Sequence, residues 1–196
     1  DPRNRYNWKF RGRRLSAEEI RDSILSFSGD LNLKLGGPGV YPLLPDEVLA
    51  TASRPDSAWG RSSKEESSRR SIFIHVKRSL LHPMLQAFDM ADTDNPCPVR
   101  FNTIQPTQAL TLLNSDFSER QAKSFADRLE NEHSNTRDRI RACMLIVSQK
   151  APAPQRVDEN LSFFENLKSE HDLNDRQALE IFCLMALNLT ETIHID

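Results

Sequence analysis

Residues 106–150 read PTQALTLLNSDFSERQAKSFADRLENEHSNTRDRIRACMLIVSQK, and the spacing in this stretch decides the fold class. Pro106 suits a first helical position, where a missing N–H costs nothing, and 108–113 continue that helix. Asp116 with Glu119 is placed to cap the next, whose Ala122, Phe125, Ala126 and Leu129 recur on one face. Asn135 then caps a third, with Ile140, Cys143, Met144 and Val147 on its apolar side. Such faces must be buried against one another, because helices of this length are not stable alone in water.

The pattern continues toward the C-terminus. After the break at Ala151-Pro152-Ala153-Pro154, Val157, Leu161, Phe164 and Leu167 share a face. Asn174 with Gln177 has capping-box spacing ahead of Leu179, Phe182, Cys183 and Ala186. The four amphipathic helices from Asp116 on, joined by short polar loops, predict an antiparallel C-terminal helical bundle in a mainly α protein.

Toward the N-terminus the signal thins. Ser16-Ala17-Glu18-Glu19 forms a capping box, Ile20, Ile24, Phe27 and Leu31 line one side, and Gly29 stands where a helix would end. Pro38, Pro42 and Pro45 make residues 32–50 an irregular arm. Residues 51–71 contain seven Ser, one Pro and Trp59 as their one large aromatic, which predicts a mobile loop. Ser71 to Val76 reads as a short strand, with a buried helical turn running on into Lys77-Arg78-Ser79-Leu80-Leu81 as the alternative, and Pro83 opens a short helix to Phe88. The expected organisation is a single domain over 1–196. It comprises an N-terminal helix with a Gly/Pro-rich arm (1–50), the loop (51–71) and a helical core (72–196).

Composition bounds the function. A net charge of -2 with 28% charged residues is unlike a dedicated nucleic-acid binder. Residues 1–100 hold 16 Lys/Arg against 13 Asp/Glu, and residues 101–196 hold 10 against 15, an asymmetry too mild to demand a polyanion. No apolar run is long enough to span a bilayer. The chain opens Asp1-Pro2-Arg3 without a start Met or signal peptide, as a segment of a larger protein would.

All six glycines lie within the first 60 residues, so the helical half lacks a phosphate-cradling loop. Gly36-Gly37-Pro38-Gly39 runs into Val40-Tyr41-Pro42 instead of a helix and reads as a turn. Between Arg3 and Arg14, six basic residues interleave with Tyr6, Trp8 and Phe10. Such a stretch can stack bases; packing of its aromatics into the core is the reading preferred here.

Few residues carry a chemical signal. Five scattered histidines and three distant cysteines lack the spacing of a metal or haem site, so no metal or cofactor is expected. Cys143 and Cys183 fall on apolar faces as small hydrophobes. Cys97, in Asn95-Pro96-Cys97-Pro98-Val99-Arg100, is the candidate reactive thiol because Arg100 is close in sequence. The densest polar set is Arg69, Arg70, Lys77, Arg78, Arg100, Asn102, Thr103, Gln108 and Asn114. If the irregular segments fold over the helix at Pro106, these donors converge on an anion or a sugar. The competing reading, carried for Arg70 and Arg100 in particular, is that they satisfy carbonyls of the long loops, which have no ladder of their own.

Several ordered motifs match one family. They are Arg14-Leu15, Glu18, Ile20-Arg21-Asp22 and Ser28-Gly29 within Asn4 to Leu31; Gly36-Gly37-Pro38; and Arg69-Arg70-Ser71-Ile72 with Lys77-Arg78. Pro83-Met84-Leu85, Phe88-Asp89, Cys97, Arg100, Thr103 and Pro106 to Asn114 follow. In these the chain resembles the planctomycete C-terminal domain of unknown function. The resemblance implies a module at the end of a large exported protein, with cytochrome c-like neighbours as partners and an extracytoplasmic location. It implies no activity. The end of the chain departs from the family pattern, with Thr192 and His194 where aromatics are usual. The expected function is therefore a docking or ligand-binding helical module without its own catalysis. The alternative is part of an enzyme acting on an anionic polysaccharide through the Arg-rich set, with Asp89 as a carboxylate.

Overall fold

The computed structural model describes residues 1–195 apart from 11, 92 and 94; Arg11, one of the six basic residues in the opening stretch, lies outside the described residues. Short β1 (Arg13–Arg14) precedes α1 (Ala17–Ser28), and the arm and loop carry one-turn or slightly longer helices: α2 (Asp46–Ala50), α3 (Pro55–Ala58) and α4 (Lys64–Ser67). A 3-10 turn at Ser71–Phe73 and α5 (Pro83–Ala87) lead to α6 (Pro106–Asn114), α7 (Asp116–Glu132), α8 (Thr136–Ser148), α9 (Pro154–His171) and α10 (Asp175–Leu187). The chain closes with α11 (Thr190–Ile193) and β2 (His194–Ile195). It is mainly helical, as the apolar spacing predicts.

Local chemistry sets the boundaries. Ser16 and Glu19 form the reciprocal capping box of α1, and Gly29 ends it at φ 82°, a left-handed conformation that suits glycine. Asn135 caps α8, and Asn174 with Gln177 boxes α10. One expected cap differs: Ser115 rather than Asp116 accepts the Ser118 amide at the start of α7. Asp116 becomes the first helical residue, where its charge favours the helix dipole.

α10 packs against α7, α8 and α9, α8 packs on both α7 and α9, and α1 lies along α7. The shared core joins Ile20 and Ile24 of α1 to Phe125 and Leu129 of α7, Ile140 and Cys143 of α8, Phe164 of α9 and Cys183 of α10. Each is essentially inaccessible to solvent. At roughly 1.5–3 kcal/mol per fully buried large apolar side chain, this cluster is the main source of stability. A satellite core of Leu44, Ala58 and Leu80, with Trp59 against it, lies under the arm.

One expectation needs amendment, and two stretches that the sequence left open are resolved. Tyr6, Trp8 and Phe10 are 87%, 63% and 59% exposed, so the aromatics of the opening stretch do not enter the core. Residues 71–76 are neither a regular strand nor an α-turn. A 3-10 turn gives way to extended backbone, where Ile74 makes an isolated parallel bridge to Val40. The tail, unmarked by any helical pattern, forms α11 and then pairs β2 with β1 in antiparallel register, Arg14 opposite His194.

Candidate functional site

The predicted polar set does not converge. It is dispersed over the molecule: Arg69, Lys77 and Gln108 donate to backbone carbonyls, while Thr103, Arg70 and Arg100 meet carboxylates.

Arg69 is fully buried inside the Gly/Pro arm. Its guanidinium donates to the carbonyls of Lys34 (3.2 Å), Pro38 (3.4 Å) and Gly36, and it lies 4.2 Å from the centre of the Phe73 ring. Gly36 and Gly37 take positive φ to bend these carbonyls toward it. A phosphate cradle presents amides to an anion. Here carbonyls face a cation, the reverse arrangement.

Arg21, a motif residue outside the predicted polar set, is buried in the same way. It donates to Ser67 O at 2.6 Å, Arg69 O at 3.2 Å and Ser71 Oγ at 3.2 Å. Burial lowers its pKa to about 10, with Asp22 acting in the opposite direction, so it stays charged at neutral pH. His82 is also buried; desolvation, with the Arg21 and Arg120 charges, pushes its pKa down to about 3.

A second knot gathers around Asp89, a non-glycine residue at φ 61°. Its carboxylate accepts the Thr103 amide at 2.9 Å and hydroxyl at 2.8 Å, and Gln108 Nε2 at 3.5 Å, while Arg14 Nη2 lies 2.8 Å away. Burial pushes its pKa up, but the Thr103 and Arg14 contacts outweigh this and hold it below the usual value. Arg14 also donates to the carbonyls of Thr103 (2.8 Å) and Phe88 (3.2 Å), and Gln108 to that of Ala87 (3.1 Å). Thus Thr103 and Gln108 do meet Asp89, in a saturated structural clasp.

The remaining candidates lie elsewhere. Lys77 donates to Ala58 O at 2.8 Å, Arg78 is exposed and partnered, and Asn114 ends α6 in an exposed position. Arg100 makes a half-exposed pair with Glu18 at 2.8 Å. Cys97 is exposed and its thiol points to Val99 O at 3.4 Å; the guanidinium expected beside it is spent on Glu18. Arg70 faces Asp22 at 3.6 Å. The expectation that Arg70 and Arg100 satisfy loop carbonyls is therefore corrected: Arg14, Arg21 and Arg69 do so, because their elements bury them.

Arg70 instead borders a groove of about 1130 Å³. One wall is α1 with Glu19, Asp22, Ser23 and Ser26; the other is the α8–α9 turn with Lys150 and Arg156. The tail closes one end with Glu191 and His194, and Met144, Leu189 and Ile195 contribute apolar surface. The acidic groups on α1 are already engaged. Glu19 takes Arg13 at 2.6 Å and the Ser16 amide at 2.8 Å, and its pKa falls to about 2 chiefly through Arg13. Asp22 Oδ1 accepts both the amide and the hydroxyl of Ser71 at 2.7 Å. Among the described residues no His, Cys, Asp and Glu side chains group to hold a metal ion, and no helix is long and apolar enough to cross a membrane. The groove was missed because its walls come from α1, the α8–α9 turn and the tail, which have no common sequence signal.

A family model described as PSD1, protein of unknown function (DUF1553), matches residues 1–164. That span contains every motif residue between Asn4 and Asn114 that carries the family resemblance. No curated protein matches the chain, and no solved structure does.

Proposed function

Because the chain belongs to the PSD1 family of proteins of unknown function, we propose a function from geometry alone: a helical module, without catalysis of its own, that binds a polar ligand in the groove beside α1. One observation carries this reading. The motif side chains Arg14, Arg21, Arg69, Asp89, Thr103 and Gln108 are consumed by framework bonds, whereas the groove keeps polar side chains in an open concavity. Its volume is of the order of known ligand sites, which run roughly 300–1,000 Å³. An enzyme acting through the Arg-rich set is disfavoured, since that set is dispersed and Asp89 is saturated.

A ligand that binds only the folded state raises its melting temperature. Thermal-shift screening of the parent against polar metabolites and oligosaccharides should yield hits that Ser23→Trp, which fills the groove from α1, abolishes. Hits that all persist in Ser23→Trp overturn the reading.

A second reading rests on a different observation. Phe101 and Ile104 are 80% and 84% exposed, with Val99, Leu110 and Leu113 also exposed nearby in sequence. Single exposed apolar residues are ordinary, but a run of them fits an interaction surface. In this reading the face docks on a neighbouring module of the same full-length chain, which the family resemblance makes cytochrome c-like and extracytoplasmic, with this module at the C-terminal end. Limited proteolysis of the full-length protein should release this module faster when Phe101 and Ile104 are both changed to Ser; unchanged release rules the docking face out.

A further inference from the structure

The geometry points to the class of ligand that the groove accepts: an amphipathic organic anion, with an apolar body and one or two carboxylate, sulfate or phosphate groups held by Arg70 on one wall and by Lys150 and Arg156 on the other. This rests on the reading of the groove as a ligand site and goes beyond it to the chemistry of the occupant.

The charge count alone would not suggest an anion, because Glu19, Asp22 and Glu191 line the same groove. The hydrogen-bond accounting does. A charge-assisted N–H···O bond closes to about 2.7–2.9 Å. Glu19 meets that standard with Arg13, and Asp22 Oδ1 is satisfied by Ser71. The cations are not used this way. Arg70 approaches Asp22 only through Nε at 3.6 Å, and Arg156 Nη2 stands 3.7 Å from Glu191. No ion pair of Lys150 is formed among the described residues. Arg176, by contrast, is drawn to Asp127 and Glu130 at 2.7 Å. Two of the groove's three carboxylates, Glu19 and Asp22, are thus engaged within the fold and Glu191 is held only loosely, while the three cations keep donors for a ligand.

Placement narrows the class. Arg70 and the Lys150–Arg156 pair stand on opposite walls, with Met144, Leu189 and Ile195 contributing apolar surface to the same groove. α9 begins at Pro154 with no side-chain cap from Ala153, which leaves the first-turn amides of Gln155 and Arg156 without helical partners. A simple inorganic anion would leave the apolar surface wet, and a neutral apolar molecule would leave the cations unmatched. An amphipathic anion satisfies both.

The test uses 8-anilinonaphthalene-1-sulfonate as the probe, followed by fluorescence titration. Saturable one-site binding is expected, with displacement by sub-micellar octyl sulfate and by decanoate, the two arms comparing sulfate with carboxylate. Lys150→Ala should weaken binding by about tenfold, the size expected for one lost hydrogen bond to a charged group, and Arg156→Glu, which reverses a charge, by more; both positions are exposed. Ser23→Trp should abolish it. Octyl glucoside competing as well as octyl sulfate, with Ser23→Trp still blocking, would leave the groove a ligand site but overturn the anion. Equal competition by tri-galacturonate, which lacks an apolar body, would overturn the amphipathic requirement. Probe binding indifferent to Ser23→Trp and lost on changing Phe101 and Ile104 to Ser would overturn both the groove and the anion.

Discussion

Arg14 and Asp89 meet at 2.8 Å, joining the strand that opens the fold to the turn that follows α5. The Arg14 side chain is 4% exposed, and its guanidinium also serves the carbonyls of Thr103 and Phe88. Removing it would strand a partly buried carboxylate and two acceptors at once. Arg14→Ala should cost about 3–5 kcal/mol, the range for breaking a buried pair from one side. In a double-mutant cycle by denaturant melts, Arg14→Ala with Asp89→Ala should cost clearly less than the sum of the single changes. Strict additivity would mean that the two groups stabilise the fold independently.

Asp89 carries a backbone demand as well as a charge. At φ 61°, Asn tolerates the conformation and Ala does not, so Asp89→Asn should be less destabilising than Asp89→Ala. The two variants melting alike would show that the charge alone matters.

His82 makes stability depend on pH. The imidazole binds a proton near pH 6.5 when unfolded, but only near pH 3 in the fold, because burial and two neighbouring arginines oppose its charge. Its contribution is complete above pH 6.5 and is lost as the pH falls through that value toward 3. By pH 5 the loss should be about 2 kcal/mol. Urea melts at pH 7.5 and 5 should show this slope in the parent and a shallower one in His82→Leu; equal slopes would refute the assignment. Glu19 acts lower, its stabilising contribution disappearing as the pH falls from 4.5 toward 2.

Arg69 and Arg100 should part company. Arg69→Ala leaves three arm carbonyls without their donor, at about 1–3 kcal/mol each. A melting temperature lower by about 6–12 °C is expected if only 3 kcal/mol is lost. Arg100→Ala breaks a half-exposed pair with Glu18 and should cost under about 1 kcal/mol. A large effect at Arg100 with little at Arg69 would invert the framework described above.

Backbone exchange should divide the loop region at α4. Amide bonds between 48 and 57 are local, as in Thr51 to Val48 and Ser57 to Arg54. Farther on, His75 and Val40 bond across the arm at 2.9 Å. Residues 51–63 should exchange faster than 66–75, read by hydrogen–deuterium exchange. Uniform protection across both stretches would contradict this.

The helices of this protein are written locally. Ser16 with Glu19, Gly29, Asn135 and Asn174 with Gln177 each act on backbone groups a few residues away, and the faces of α7, α8 and α10 repeat at a period that a single strand of text displays. Those features, and the mainly α class with its C-terminal bundle, the sequence determined by itself. Which arginines brace the arms, and where an open groove remains, only the tertiary structure decided. Arg21 reads like any charged residue on α1 until Ser67, Arg69 and Ser71 fold over it, and Arg70 differs from Arg69 by one position yet points to a different environment. The physical reason is range: capping and periodicity act over one or two helical turns, whereas burial depends on which distant segments arrive. The groove is set in the same way, because its walls at Ser23, Lys150 and His194 become neighbours only when α1, the α8–α9 turn and the tail close around them.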